Sequence, residues 1–293
     1  MRCRGQRLLL HGRVIPNLPG DLERMDEVQE KWGISAWKTY TQYGETYDSG
    51  WWLNDAGHGW AFLEKVRASG IRIISCHKGL PLPFPLMGEG NLQYRMSHDV
   101  GPAAKEYRDI KFIIFHSGHD PAMPEGPYTQ GPAASGTDSL VKSVLDSGLG
   151  TSSNVYAELG STWWQVMREP DQAAHLIGKL IKYLGEDNVL WGTDCLFYGS
   201  PQDQIQAFRP FQISEEFQEK YGYAKLTDET KAKIFGLSSA KIYGIEPVEV
   251  TRLAQTDAIG RAKASYLAHA DPTFKTYGPK TRREFFQFAG MDH

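Results

Sequence analysis

"GIRIISCHKGLPLPFP", residues 70–85, holds in miniature the unit from which this chain is built. Gly70 closes a helical pattern, an apolar run from Ile71 to His77 follows, and a long irregular stretch comes after it. The run is rich in isoleucine and bounded by turn residues, as a short buried strand should be. Five further segments read the same way: "RLLLHGRVI" (7–15), "ISAWKTY" (34–40), "KFIIFH" (111–116), "NVYAEL" (154–159) and "NVLWGTD" (188–194). Helical patterns lie between them. In "DLERMDEVQEKWG" (21–33) Asp21 is the expected N-cap and Leu22, Met25 and Val28 share a face. "DQAAHLIGKLIKYLG" (171–185) carries a wide apolar stripe that stops at Gly185, and "GWAFLEKVRASG" and "TDSLVKSVLDSG" stop at Gly70 and Gly148.

Strand then helix, repeated, predicts a parallel sheet with crossover helices. The runs are apolar on both faces, as strands wrapped by helices are. Loop lengths are asymmetric. Helix-to-strand links such as "SGIRI" and "GEDNVL" are tight, whereas strand-to-helix links such as "SGHDPAMPEGPYTQGPAASG" are long. Long loops at the strands' C-terminal ends form the active face of a (β/α) barrel. An open dinucleotide-binding sheet has the same polarity but needs a Gly-rich fingerprint after its first strand, and none is present. The predicted fold is therefore α/β, of the (β/α)8 TIM-barrel type, over residues 1–245. A helix around residues 250–268 and a tail containing "RREFF" (282–286) make a C-terminal extension, 246–293.

Composition narrows the function classes. A net charge of -3 and a pI near 6.3 provide no basic footprint for nucleic acid. No apolar run approaches the ~20 residues that span a bilayer. Cys3, Cys76 and Cys195 form no CxxC pair, which argues against a disulfide framework and for a reducing, cytoplasmic setting. Strand alternation turns Cys76 and Cys195 toward the helices as packing thiols. A small-molecule substrate is the expected partner, and a homodimer is compatible with the chain.

The strands end on chemistry. "IRIISCH" closes on His77, "KFIIFH" on His116 and "NVLWGTD" on Asp194. One strand-end histidine is commonly a hydrogen-bonded structural residue, and one aspartate can serve as an N-cap. Two histidines and an aspartate at the same end of separate barrel strands instead converge on one mouth. Imidazole and carboxylate suit Zn²⁺, Mn²⁺ or Fe²⁺, zinc foremost.

"CHKG", "FHSG", "VYAELGSTWW" and "EDNVLWGTDCLFYGSPQDQIQAF" resemble the later strands of the amidohydrolase-related TIM-barrel hydrolases, the branch containing aminocarboxymuconate-semialdehyde decarboxylase-like enzymes. The resemblance spans roughly residues 7 to 245. It implies that His77 is a metal ligand on the fifth strand and that His116, on the sixth, is a ligand or a base beside the metal. It also implies that Asp194, on the eighth, is a ligand that shuttles the proton of metal-bound water. The family's first-strand HxH pair has no counterpart here, and "RLLLHGRVI" counts as the third strand. The expectation is a chain with strands three to eight, either an N-terminally incomplete version of a longer protein or a non-catalytic descendant.

Lys38 sits on the fourth strand, where some relatives carry a carboxylated lysine; the plainer expectation is a buried amine paired with Glu158. Glu158 is that partner or a substrate-orienting group. His119 and Asp120 are placed to touch substrate or to stand as solvated loop residues. Trp51, Trp52, Trp163 and Trp164 flank the same mouth, as stacking surfaces or as a cap. The leading functional expectation is metal-dependent hydrolysis of a carbonyl, amide or lactone, with Asp194 moving the water's proton and His116 steadying the oxyanion. Nonoxidative decarboxylation on the same scaffold and a catalytically inactive chain are the rivals.

Overall fold

The computed structural model describes residues 7–44, 49–81, 89–131 and 136–270. Six strands form one parallel sheet in sequential order: β1 (His11–Arg13), β2 (Ala36–Tyr40), β3 (Ile73–His77), β4 (Lys111–Phe115), β5 (Val155–Glu158) and β6 (Val189–Leu190). Between them run α1 (Met25–Trp32), α2 (Gly59–Ala68), α3 (Val100–Glu106), α4 (Thr137–Asp146), α5 (Thr162–Val166) and α6 (Pro170–Leu184). After β6 come α7 (Cys195–Tyr198), α8 (Gln202–Phe208), α9 (Glu215–Tyr221), α10 (Asp228–Ala232) and α11 (Ser238–Tyr243), and then α12 (Pro247–Thr256) and α13 (Ala258–Ala268).

Alternation along each strand sorts the side chains onto two faces. Ile74, Cys76, Phe112, Ile114, Val155, Ala157 and Val189 face the helices and join the main core with Leu140, Leu176 and Leu180. The opposite face is the inside of the curved sheet. There Ile113 and Leu190 pack with Ile73, Phe115 and Tyr156, and α11 supplies Ile242 and Tyr243 to the same cluster. The helix is pinned by polar contacts: Tyr243 shares a hydrogen bond with His11 (2.9 Å), and Lys111 donates to the Ile242 carbonyl (2.7 Å). His11 also meets Ser75 Oγ at 2.9 Å, so it is a satisfied interior histidine. α11 thus fills space inside a sheet that its six strands do not close. Among the described strands β1 and β6 each pair on one side only, and Leu8, Leu9 and Leu10 stand exposed beside β1.

Several local expectations are corrected. Asp21 does not cap α1, which starts at Met25; its carboxylate accepts the Ile15 N–H (3.0 Å) and ties the loop after β1. β6 is two residues long, because Trp191 N–H leaves the sheet to donate to the Ile234 carbonyl. Cys76 is a buried packing thiol, but Cys195 is exposed at the start of α7. The expected helix over 250–268 is two helices broken at Asp257, whose side chain caps the second by accepting the Gly260 N–H. Neither α12 nor α13 has a buried residue. Thr227 caps α10, accepting from Thr230 N–H. Cys3 and "RREFF" lie outside the described residues, and no described helix is long and apolar enough to cross a membrane.

Candidate active site

The strands' C-terminal ends open into a cavity of about 750 Å³, a size that suits a small-molecule ligand. His77, His116, Asp194 and Lys38 all line it, so four of the residues singled out in the sequence meet in one place. Lys38 and His77 arrive by alternation, whereas His116 and Asp194 lie past the ends of β4 and β6. Lys38 lies across from Ser75 in the sheet register, Tyr40 across from His77, and His77 across from Phe115. Side chains from the same strand positions therefore form a layer at the mouth.

Among the described non-glycine residues the backbone is contorted only here. Four described non-glycine residues have positive φ: His116 (65°), Ser117 (52°), Ser161 (58°) and Asp194 (48°). All four follow the ends of β4, β5 or β6. Such conformations cost on the order of 1–3 kcal/mol each and persist where the surroundings hold them, which is characteristic of functional sites. The holding contacts are visible. Thr162 Oγ1 donates to the His116 carbonyl (2.8 Å), Ser117 Oγ donates to the Glu158 carbonyl (2.8 Å), and Ser161 Oγ donates to Asp194 Oδ2.

The two imidazoles are wired to carbonyls. His77 Nε2 meets the Leu80 carbonyl at 2.9 Å, and His116 Nδ1 meets the Gly160 carbonyl at 2.7 Å. A carbonyl only accepts, so each ring spends its one neutral-state proton there. That leaves His77 Nδ1 and His116 Nε2 facing each other, lone pair to lone pair, at 3.0 Å. Burial disfavours an extra proton: it holds His77 well below the ordinary range, with the His116 charge adding to the effect, and His116 at about 4.

Glu158 lies behind His116. Its oxygens accept the Gly160 N–H (2.9 Å) and the His116 N–H (3.3 Å), and Gly192, just past β6, leaves it room, since a Cβ there would collide with the carboxylate. Burial pushes its carboxyl up to about 7, and the charge of Asp194 pushes the same way. Lys38 is not its ion-pair partner, contrary to the plainer expectation. Lys38 Nζ is shut off from solvent with no hydrogen-bond partner among the described residues, 3.6 Å from the Phe115 ring centroid and 4.7 Å from that of Tyr40. Burial lowers its pKa to about 8.

The other candidates stand elsewhere. His119 does not line the cavity; its Nδ1 is 2.6 Å from Glu125, which Lys179 holds in turn. Asp120 pairs with Arg95 at 2.9 Å. Trp51 and Trp163 are core residues, edge-on to Phe62 and Phe208. Trp52 packs on Tyr94 and His98, and only Trp164 reaches the mouth, stacked at 4.4 Å on the cavity-lining Tyr198. Arg13, Tyr40 and Ser161 line the cavity without having been singled out. Alternation from His11 and Lys38 carried the signal for the first two; Ser161 had none, because its placement depends on a positive φ.

The profile of the Amidohydrolase family matches residues 22–245, and this chain belongs to that family. Its fold is similar to that of a crystal structure of 2,6-dihydroxybenzoate decarboxylase complexed with 2,6-dihydroxybenzoate. That likeness has a TM-score of 0.50 at 14% identity and covers 82% of this chain and 72% of that one. An uncharacterized TIM-barrel protein from Bordetella bronchiseptica is similar at a TM-score of 0.49 and 10% identity, over 80% and 66% of the two chains. No curated protein sequence matches this chain.

Amidohydrolases generally work with divalent metals, and the donor set here meets that need halfway. Two nitrogens 3.0 Å apart have the spacing of adjacent ligands around a cation about 2.1 Å from each. Asp194 does not join them; its carboxylate lies on the other side of the His116 ring, 3.7 Å from Nδ1. Among the described residues no group of three His, Cys, Asp or Glu side chains is arranged to hold a metal ion. Two donors fall short of the three protein ligands of a catalytic zinc site.

Proposed function

We propose that this amidohydrolase is a nonoxidative carbon–carbon lyase that removes CO2 from a small carboxylated substrate. The observation that carries the reading is the division of the cavity wall. Arg13 at the rim and Lys38 deeper in stand on the β1–β2 side, while Asp194 and His116 stand on the β4–β6 side. Tyr40, Tyr43, Phe115, Phe197 and Tyr198 supply aromatic lining. A carboxylate is drawn to the cationic wall, and rings flank the rest of the ligand. Loss of CO2 turns a charged group into a neutral one, a change that poorly hydrated, ring-lined surroundings favour. The carbon left behind needs a proton, and Asp194, oriented by Ser161, is the cavity-lining acid placed to deliver it. The structural neighbour's decarboxylase activity is consistent with this chemistry on the same scaffold.

The facing lone pairs of His77 and His116 favour a second reading, metal-dependent hydrolysis, with zinc as the first candidate cation. The two are separated by one experiment. A panel of hydroxybenzoates and 3-oxo acids is assayed for CO2 release, and a panel of lactones and amides for hydrolysis with and without added Zn²⁺. CO2 release is expected from the first panel, falling by about 10²–10⁴-fold in Asp194→Asn. Zinc-dependent hydrolysis with no CO2 from any acid would overturn the lyase reading, and undiminished release by Asp194→Asn would remove Asp194 from it.

A further inference from the structure

We infer that Lys38 is a nucleophile: its amine takes the oxo carbon of a 3-oxo carboxylate as a Schiff base, and that imine accepts the electron pair when CO2 leaves. The inference deepens the lyase reading above and rests on it.

The starting point is an amine with no structural employment. Lys78 and Lys179 are buried too, and each is fully engaged. Lys78 donates to Asp99 (2.8 Å) and the Tyr94 carbonyl (3.1 Å), while Lys179 meets Glu125 (2.5 Å), Asp138 (2.7 Å) and the Gly126 carbonyl (3.2 Å). Among the described residues Lys38 Nζ has no hydrogen-bonding partner, although it too is out of contact with solvent. It is aimed inward by strand alternation, it lines the cavity, and its nearest companions are the faces of Phe115 and Tyr40. Ring faces steady a cation without engaging the nitrogen lone pair once the proton has gone. A lysine desolvated among apolar groups is the usual form of an amine nucleophile. The lowering of its pKa to about 8 by burial leaves part of the population as free amine near neutrality.

The chemistry closes without oxidant, reductant or metal. The Nζ lone pair bonds to the oxo carbon, one proton passes from nitrogen to the former carbonyl oxygen, a second is taken up there from solvent, and water leaves to give a protonated imine. The carbon–carbon bond to the carboxylate then breaks; its electron pair forms the enamine, neutralising the nitrogen, and CO2 departs. Asp194 protonates the enamine carbon, and one water adds back to release the ketone and the free amine, the proton set free returning to Asp194. The net change is 3-oxo acid to ketone plus CO2. Arg13, at the rim of the same cavity, is the remaining cation for the substrate carboxylate before it leaves.

The test uses the full chain with acetoacetate as probe, sodium borohydride as trap and peptide mass mapping as readout. The peptide bearing Lys38 is expected to carry an isopropyl group, the reduced adduct that has already lost CO2. Lys38→Met and Lys38→Arg are both expected to lose the adduct and at least 10²-fold of the CO2 release. An adduct on Lys38 that still holds its carboxylate would uphold the Schiff base and sink the lyase reading. CO2 release with Lys38 unmodified would do the reverse, overturning the nucleophile while keeping the lyase. Labelling confined to surface lysines, or full CO2 release by Lys38→Arg, would likewise overturn the inference.

Discussion

Lys179 and Lys38 are the same side chain in two differently built interiors. Lys179 projects from α6 into a closed network: Glu125 and Asp138 take its charge, and His119 and Thr137 (2.6 and 2.8 Å) occupy the other Glu125 oxygen. The carboxyl of Glu125 is held down at about 2 by those hydrogen bonds and the Lys179 charge, against the burial that opposes them. That network fastens the 119–131 loop to α4 and α6 and has nothing left over for a ligand. Around Lys38 the accounts stay open. An amine without a partner among the described residues and two imidazoles with facing lone pairs line one cavity, and a carboxyl raised to about 7 lies behind one of those rings. A fold retains such unsatisfied groups at a cost in stability, and sites of chemistry are where it does so.

The largest test of that contrast is Lys179→Met. It strands Glu125 and Asp138 without their shared cation, and urea unfolding is expected to show a loss of about 3–5 kcal/mol. A loss under 1 kcal/mol would mean that the network is no more structural than the cavity.

Glu158→Gln sharpens the comparison through pH. Glu158 has a folded pKa of about 7, above the ordinary 4.5, so its contribution to stability is fully present below pH 4.5 and is lost as pH rises through 7. His11 and His116, both lowered to about 4, act oppositely: their contribution is present above 6.5 and is lost as pH falls through 4. Between pH 5 and 8 the wild type is expected to lose on the order of 3 kcal/mol relative to Glu158→Gln. Parallel stability profiles over that range would place a charged, well-solvated carboxylate at Glu158.

The smallest effect has the opposite sign. Lys38→Met removes a buried donor that has no partner among the described residues and keeps the stem that packs on Phe115. It is expected to stabilise the fold by about 1–3 kcal/mol in the same unfolding experiment. A destabilised Lys38→Met would show that the amine has a structural partner after all.

Much of this was readable in the linear chain. The six strands fall within a few residues of their expected positions, because strands covered by helices must be apolar on both faces and are bounded by glycine and polar turns. Alternation put His77 and Asp194 on the inner side, and the chain delivers both to one cavity with His116 and Lys38. The misses share a cause. Asp21 has the residue type of a cap but is used by the Ile15 N–H, and the helix over 250–268 breaks because Asp257 can cap from its middle. Lys38 and Glu158 are complementary in charge, yet Glu158 is claimed by two backbone N–H groups.

What the sequence determined alone is what repeats: period, burial and the polarity of strands and loops, which every unit states again in its own residues. What only the tertiary structure decided is who meets whom. Tyr243 of α11 reaches across 232 positions to His11 and fills the inside of an unclosed sheet. Ser161 finds Asp194, and Gly192 makes way for Glu158. Those pairings depend on three-dimensional register and on single backbone angles. A contact between distant residues leaves no periodic trace in either of them, so no local pattern could have announced it.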